Sequence, residues 1–124
     1  MFSKTSKQKQ KVSEMLMDCA SDFVLSGEDE FEKQQRLNAA SSAWNFSNLN
    51  KDDRKRNIKY FLKDYQRLNP ECTKIDLNDI KQVLKDIIYQ KRKLYPDIHV
   101  QIQEATIKEY NGKSYVKVAS VEAE

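Results

Sequence analysis

The 124-residue sequence predicts an α+β fold: four mainly antiparallel helices followed by a C-terminal two-stranded antiparallel β-hairpin packed on the helical layer. Three observations carry this. Apolar residues recur at helical spacing in four successive segments up to Leu94. Gly27, Pro70, Pro96 and Gly112 stand where these patterns stop, as helix ends and turns require. Beyond Pro96 the period falls to two, around Asn111-Gly112, a hairpin signal because both residues tolerate positive φ. The chain reads as one domain, 1–124, with residues 1–7 a disordered tail, 8–95 helical and 98–121 the hairpin.

A first helix is expected from about Gln8 to Ser26. Val12, Met15, Leu16, Cys19, Ala20, Phe23 and Val24 fall on one face, and Gly27 suits the C′ position. A second runs from about Glu28 to Asn45, its acidic start favoured by the helix dipole. Leu37, Ala40 and Trp44 share a face there, Phe31 enters from elsewhere, and the small residues of NAASSAW permit close approach by another helix. Phe46 and Leu49 are placed to tuck the following loop against the core.

The third helix starts after Asn50, a favourable N-cap, with Asp52 and Asp53 in its first turn. Ile58, Phe61, Leu62, Tyr65 and Leu68 form its buried stripe, and Asn69-Pro70 ends it. For the fourth, Asp76 is the expected cap, with Asp79 at N3 and a staple between Ile75 and Ile80. Leu77, Ile80, Val83, Leu84, Ile87, Ile88 and Leu94 give it a wide apolar face before Tyr95-Pro96 stops it.

In the hairpin, a two-residue loop pairs Tyr110 with Lys113, Ile107 with Val116 and Ala105 with Val118, the last two pairs facing the core. Val100 and Ile102 have the opposite parity, so a bulge is expected near Gln103–Glu104. Residues after Val121 read as frayed. A lone hairpin is marginal in water and must pack on the helices or pair with another chain.

Charge is unevenly spread. The net charge is +3, but residues 51–95 hold 13 Lys and Arg against 7 Asp and Glu, while 1–50 hold 6 against 7 and 96–124 hold 3 against 5. The lysine-rich start lacks the apolar run of a signal peptide, and no stretch approaches the roughly 18 apolar residues of a membrane span. Cys19 and Cys72 match no C-x-x-C pattern and read as free thiols, with a Cys19–Cys72 disulfide as the alternative. Cytoplasmic residence without membrane contact follows as the expectation.

Catalytic grammar is thin. His99 is the only histidine, so it has no second imidazole for a metal site. Cys19 belongs to an apolar face, and Cys72 has Lys74 as its one nearby cation, which is little support for a thiolate. The Glu28–Glu32 acidic cluster lacks calcium-loop spacing and suits a helix start. Neither glycine sits in a phosphate-binding pattern. The expectation is a non-enzymatic protein with no catalytic residue, no cofactor and no metal.

The remaining signal is basic. On a helical wheel of about 100° per residue, Arg56, Lys59, Tyr60, Lys63 and Arg67 lie opposite the apolar stripe of the third helix. Lys81, Lys85, Tyr89 and Arg92 share the solvent side of the fourth. Asp52 stands one turn before Arg56 and is placed to pair with it. Cations neutralise phosphates and tyrosines stack on bases, so these residues are candidates for polyanion binding. Ordinary solvated helix faces look much the same. In antiparallel neighbours the two stripes either converge or diverge, and the sequence leaves both open.

Two functions therefore stand. The first is a small accessory or regulatory protein acting by protein–protein contact, with self-association or strand capture at a hairpin edge. The alternative is nucleic-acid binding through the two basic, tyrosine-bearing stripes.

Overall fold

The computed structural model describes residues 11–122. The expected tail at 1–7, the helix start at Gln8 and the last two residues lie outside that range. Four helices and a hairpin follow in order: α1 Val12–Leu25, α2 Glu30–Phe46, α3 Lys51–Leu68, α4 Lys74–Leu94, β1 Val100–Tyr110 and β2 Lys113–Glu122.

Met15, Leu16, Ala20 and Val24 of α1 are buried, one face of a helix as its spacing requires. At Gly27 the fold needs a bare Cα, since a Cβ would stand 2.9 Å from the backbone nitrogen of Lys33. α2 begins two residues later than its acidic run suggests. Asp29 accepts from the Glu32 N–H at 2.8 Å, and Glu32 in turn accepts from the Glu28 N–H at 2.8 Å. Asn50 caps α3 through the Asp53 N–H at 2.9 Å.

The start of α4 differs from expectation. Thr73, not Asp76, is the cap. Its hydroxyl accepts from the Asp76 N–H at 3.1 Å while the Asp76 carboxylate accepts from the Thr73 N–H at 3.0 Å. This reciprocal pair satisfies two helix-end donors where an Asp76 cap alone would satisfy one. Ile75, expected in a staple, is exposed.

The centre of the molecule is α2, which packs against α1, α3, α4 and β1. Leu37, Ala40, Ser41, Ala43 and Trp44 are buried on it. Neighbours on several sides explain why its apolar pattern is blurred and its residues small. By contrast α3 packs on α4 and α2 along one flank. Ile58 alone of its expected stripe is fully buried; Phe61, Leu62 and Tyr65 are half-buried, and Leu68 is 69% exposed. Phe61 still closes the loop region edge-on against Phe46, at 6.3 Å between ring centres. Phe31 is exposed too.

Leu94 is also exposed, and the apolar face of α4 continues instead to Lys91, only 2% exposed. Its ammonium sits 5.1 Å from the centre of the Trp44 ring and donates to the carbonyl oxygen of Ile98 at 2.5 Å and to Asn48 Oδ1 at 3.4 Å. Burial holds its pKa below the ordinary lysine value, with the charge of Arg92 adding.

The hairpin has the expected register: Tyr110 faces Lys113, Ile107 faces Val116 and Ala105 faces Val118. Asn111 and Gly112 turn it at φ 51° and 76°. A register shift between Ile102 and Glu104 is the bulge that returns Ile102 to the core side.

The two edges of the hairpin are not equivalent. Side chains of α2 and its following loop bond along the backbone of β1. Glu30 accepts from the Glu109 N–H, and Gln34 accepts from the Ile107 N–H and donates to the Ala105 carbonyl. Asn45 accepts from the Ile102 N–H and donates to its carbonyl, while Trp44 and Asn48 both donate to the carbonyl of Val100. These polar groups stand where a third strand would. The β1 edge is therefore occupied by these side chains.

Candidate functional site

α3 and α4 run antiparallel, and a groove of about 610 Å³ lies between them. Its α3 wall carries Asp52, Lys55, Arg56, Lys59, Lys63 and Gln66, and its α4 wall Lys81 and Lys85. Ile58, Leu62 and Leu77 supply the apolar lining. The two stripes therefore converge over part of their length. Arg56, Lys59, Lys63, Lys81 and Lys85 come together on one groove.

Four expected members stand elsewhere. Tyr60 and Tyr89 are exposed outside the groove lining, and Lys93 lies 6.0 Å from the Tyr89 ring centre. Arg67 pairs at 3.6 Å with Asp64. Arg92 lies near Arg54, where its charge and burial lower the Arg54 pKa, burial acting first. The wheel accounts for part of the split, while Arg92, which shares the angular position of Lys81 and Lys85, lies about two to three turns further along α4, past the residues that line the groove. At about 100° per residue, Tyr60 and Arg67 fall on the flank of α3 turned away from positions 55, 59, 62 and 66.

Lys55 lines the groove and was not among the expected residues. The signal was present: it stands one helical turn before Lys59 and 3 residues after Asp52. Arg56 pairs with Asp53, not with Asp52. That contact raises the Arg56 pKa and lowers that of Asp53, in both cases mainly through the hydrogen bond between them. Both groups are exposed, so the pair adds little to stability. Asp52 is the single carboxylate lining the groove.

Charge is segregated around α4. Its opposite flank borders a second hollow of about 410 Å³ whose α4 side carries Asp76 and Asp79, with Glu71, Phe23, Tyr65 and Ile80 and with Arg36 of α2 as its one cation. Burial raises the pKa of Tyr65 there, with Cys72 and Asp76 adding. A third hollow, about 680 Å³, lies over Phe61, Tyr65 and Leu68 between α2 and α3.

His99 is exposed at the entry to β1. Cys19 and Cys72 are both free thiols. Burial pushes Cys19 up to about 11, with Asp18 adding, and Cys72 is raised by desolvation, Asp76 and Glu71. Neither environment favours a thiolate. Among the described residues, no three His, Cys, Asp or Glu side chains are grouped to hold a metal ion, and no helix is long and apolar enough to cross a membrane.

Comparison with known protein families, curated proteins and solved structures finds no match to this chain.

Proposed function

We propose that the protein is a small, non-catalytic cytoplasmic accessory protein whose α3–α4 groove takes an acidic amphipathic helix from a protein partner. The observation that carries this is the arrangement of Lys55, Arg56, Lys59, Lys63, Lys81 and Lys85 around the apolar residues Ile58, Leu62 and Leu77. A helix docks into a groove by laying down residues at i, i+3, i+4 and i+7. Carboxylates on the flanks of such a helix would meet the lysines on both walls. From Asp52 to Gln66 the α3 wall is about 21 Å long at 1.5 Å per residue, which suits a helix of about 14 residues.

Nucleic acid is the competing occupant. The groove's cations favour it as well, but the tyrosines that would stack on bases stand outside the groove, and the apolar lining offers nothing to phosphates. Fluorescence anisotropy separates the two. A 14-residue helical peptide with Leu on one face and Glu on its flanks should bind. Leu62→Ser and Lys81→Glu should each weaken it, the charge reversal by on the order of tenfold. If single-stranded DNA binds more tightly and Leu62→Ser changes nothing, the occupant is a polyanion and the protein-partner reading fails.

A further inference from the structure

The unequal edges of the hairpin carry an inference independent of the groove. In an antiparallel pair closed by a two-residue turn, the residues flanking the turn exchange hydrogen bonds, and the alternate residues point their N–H and C=O groups outward. The register therefore turns Ile107 and Ala105 of β1 outward, the residues that Gln34 occupies. On β2 it turns Ser114, Val116, Val118 and Ser120 outward. The Ser114 hydroxyl donates to Glu109 Oε2 across the hairpin, but among the described residues no group bonds to the outward backbone N–H or C=O of these four positions. One edge is bonded along its length by side chains of α2 and the loop after it; β2, 10 residues long, packs one face on α1 but leaves the backbone groups of its outer edge without a partner among the described residues.

We propose that β2 pairs antiparallel with β2 of a second copy of this chain, about a two-fold axis at Val118, giving a continuous four-stranded sheet. The sequence of β2 is self-complementary in that register. Val118 faces Val118 of the second copy, Val116 faces Ser120 and Ser114 faces Glu122, all at outward-pointing positions able to exchange backbone hydrogen bonds. Between them, at the closer non-hydrogen-bonded positions, Tyr115 faces Val121 and Lys117 faces Ala119. Tyr115 and Val121 are 52% and 45% exposed in the single chain, and the pairing covers each with the other. Lys117 discourages other arrangements. A lysine on an edge strand guards against indiscriminate pairing, and an axis at position 117 would set two lysines face to face. At Val118 that repulsion is absent. The two-fold closes the assembly, since the β1 edges at its ends are covered by α2.

Ala119 makes the proposal testable, because it lies between two opposite charges. Within its own hairpin it faces Glu104; across the axis it would face Lys117. Ala119→Glu should therefore tighten the dimer and Ala119→Lys should weaken it, each roughly three- to tenfold because every contact occurs twice. Their effects on the stability of the single chain should run the other way. Ser120→Pro removes an outward N–H without touching the β1 ladder, which an edge strand tolerates, and should abolish the dimer. Sedimentation equilibrium of the full chain over a wide concentration range reads all three, with circular dichroism confirming that Ser120→Pro is folded. A concentration-dependent dimer that responds to Ala119→Glu and Ala119→Lys in opposite directions supports the pairing. A monomer at every concentration overturns it, as does a dimer indifferent to position 119.

Discussion

Lys91 Nζ donates to the carbonyl oxygen of Ile98 at 2.5 Å, tying the last turn of α4 to the approach to β1. The tie is made from inside the core, under the ring of Trp44, whose own indole N–H donates to Val100 at 2.9 Å. Two side chains thus hold the point where helix gives way to strand.

Lys91→Met keeps the stem and loses the donor, leaving the Ile98 carbonyl without this bond. We expect a loss of about 1–2 kcal/mol at neutral pH, the cost of one unmade bond to a charged group partly offset by relief of desolvation. The pH dependence is specific. Because burial and Arg92 lower the Lys91 pKa, the unfolded chain holds that proton more firmly than the folded one. Stability from this group rises with pH between the lowered folded value and the ordinary lysine value. The gap between native protein and Lys91→Met should therefore widen from pH 7 to pH 10 in urea unfolding. A gap that narrows would mean the ammonium is not held against a desolvation cost.

Cys19 should be slow to react. With its pKa raised to about 11, about 0.1% is thiolate at pH 8, against about a quarter of an ordinary thiol. Higher intrinsic nucleophilicity returns only part of that difference. Alkylation by iodoacetamide at Cys19, followed by peptide mass spectrometry, should be at least tenfold slower than for a model thiol. A rate at or above the model thiol's contradicts the buried environment.

Asn45→Leu removes two bonds to Ile102, one to its N–H and one to its carbonyl. A loss of about 2 kcal/mol is expected. Gln34→Met should cost a similar amount, through Ile107 and Ala105. Combining them uncovers the β1 edge, and aggregation on heating should then rise with protein concentration. Stability close to the native protein's in both single variants would show that the α2 amides do not cover this edge to any effect.

Gly112→Ala isolates backbone strain. The residue sits at φ 76°, and an added Cβ would meet nothing within 4 Å. The expected loss is about 1 kcal/mol, with no packing contribution. Thermal melting checks it. An unchanged midpoint would mean the turn adopts another conformation.

Much of the fold was legible because its signals are local. Asn50, Asn111-Gly112 and the parity change around Gln103 act through the nearest few residues, and each did what its chemistry implies. What escaped depends on neighbours distant in sequence. Leu68 and Leu94 have the right spacing for burial, but no element arrives to cover them. Lys91 stands at the apolar positions 3 and 4 residues after Ile88 and Ile87. Its burial depends on Trp44, Asn48 and Ile98 supplying partners, which a helical wheel does not contain. The groove was half legible. The wheel separated lysines from apolar residues, but only the antiparallel placement of α4 shows that Lys81 and Lys85 face Lys59 and Lys63 while the tyrosines turn away.

The central claim, that the α3–α4 groove receives an acidic amphipathic helix, is tested most directly by amide chemical-shift mapping with a 14-residue Leu/Glu peptide titrated into the isotopically labelled chain. The account predicts shifts concentrated at Lys55, Lys59, Leu62, Leu77 and Lys81 and small changes along β1 and β2. Shifts centred on the hairpin, or on Phe61, Tyr65 and Leu68 in the hollow between α2 and α3, would contradict it.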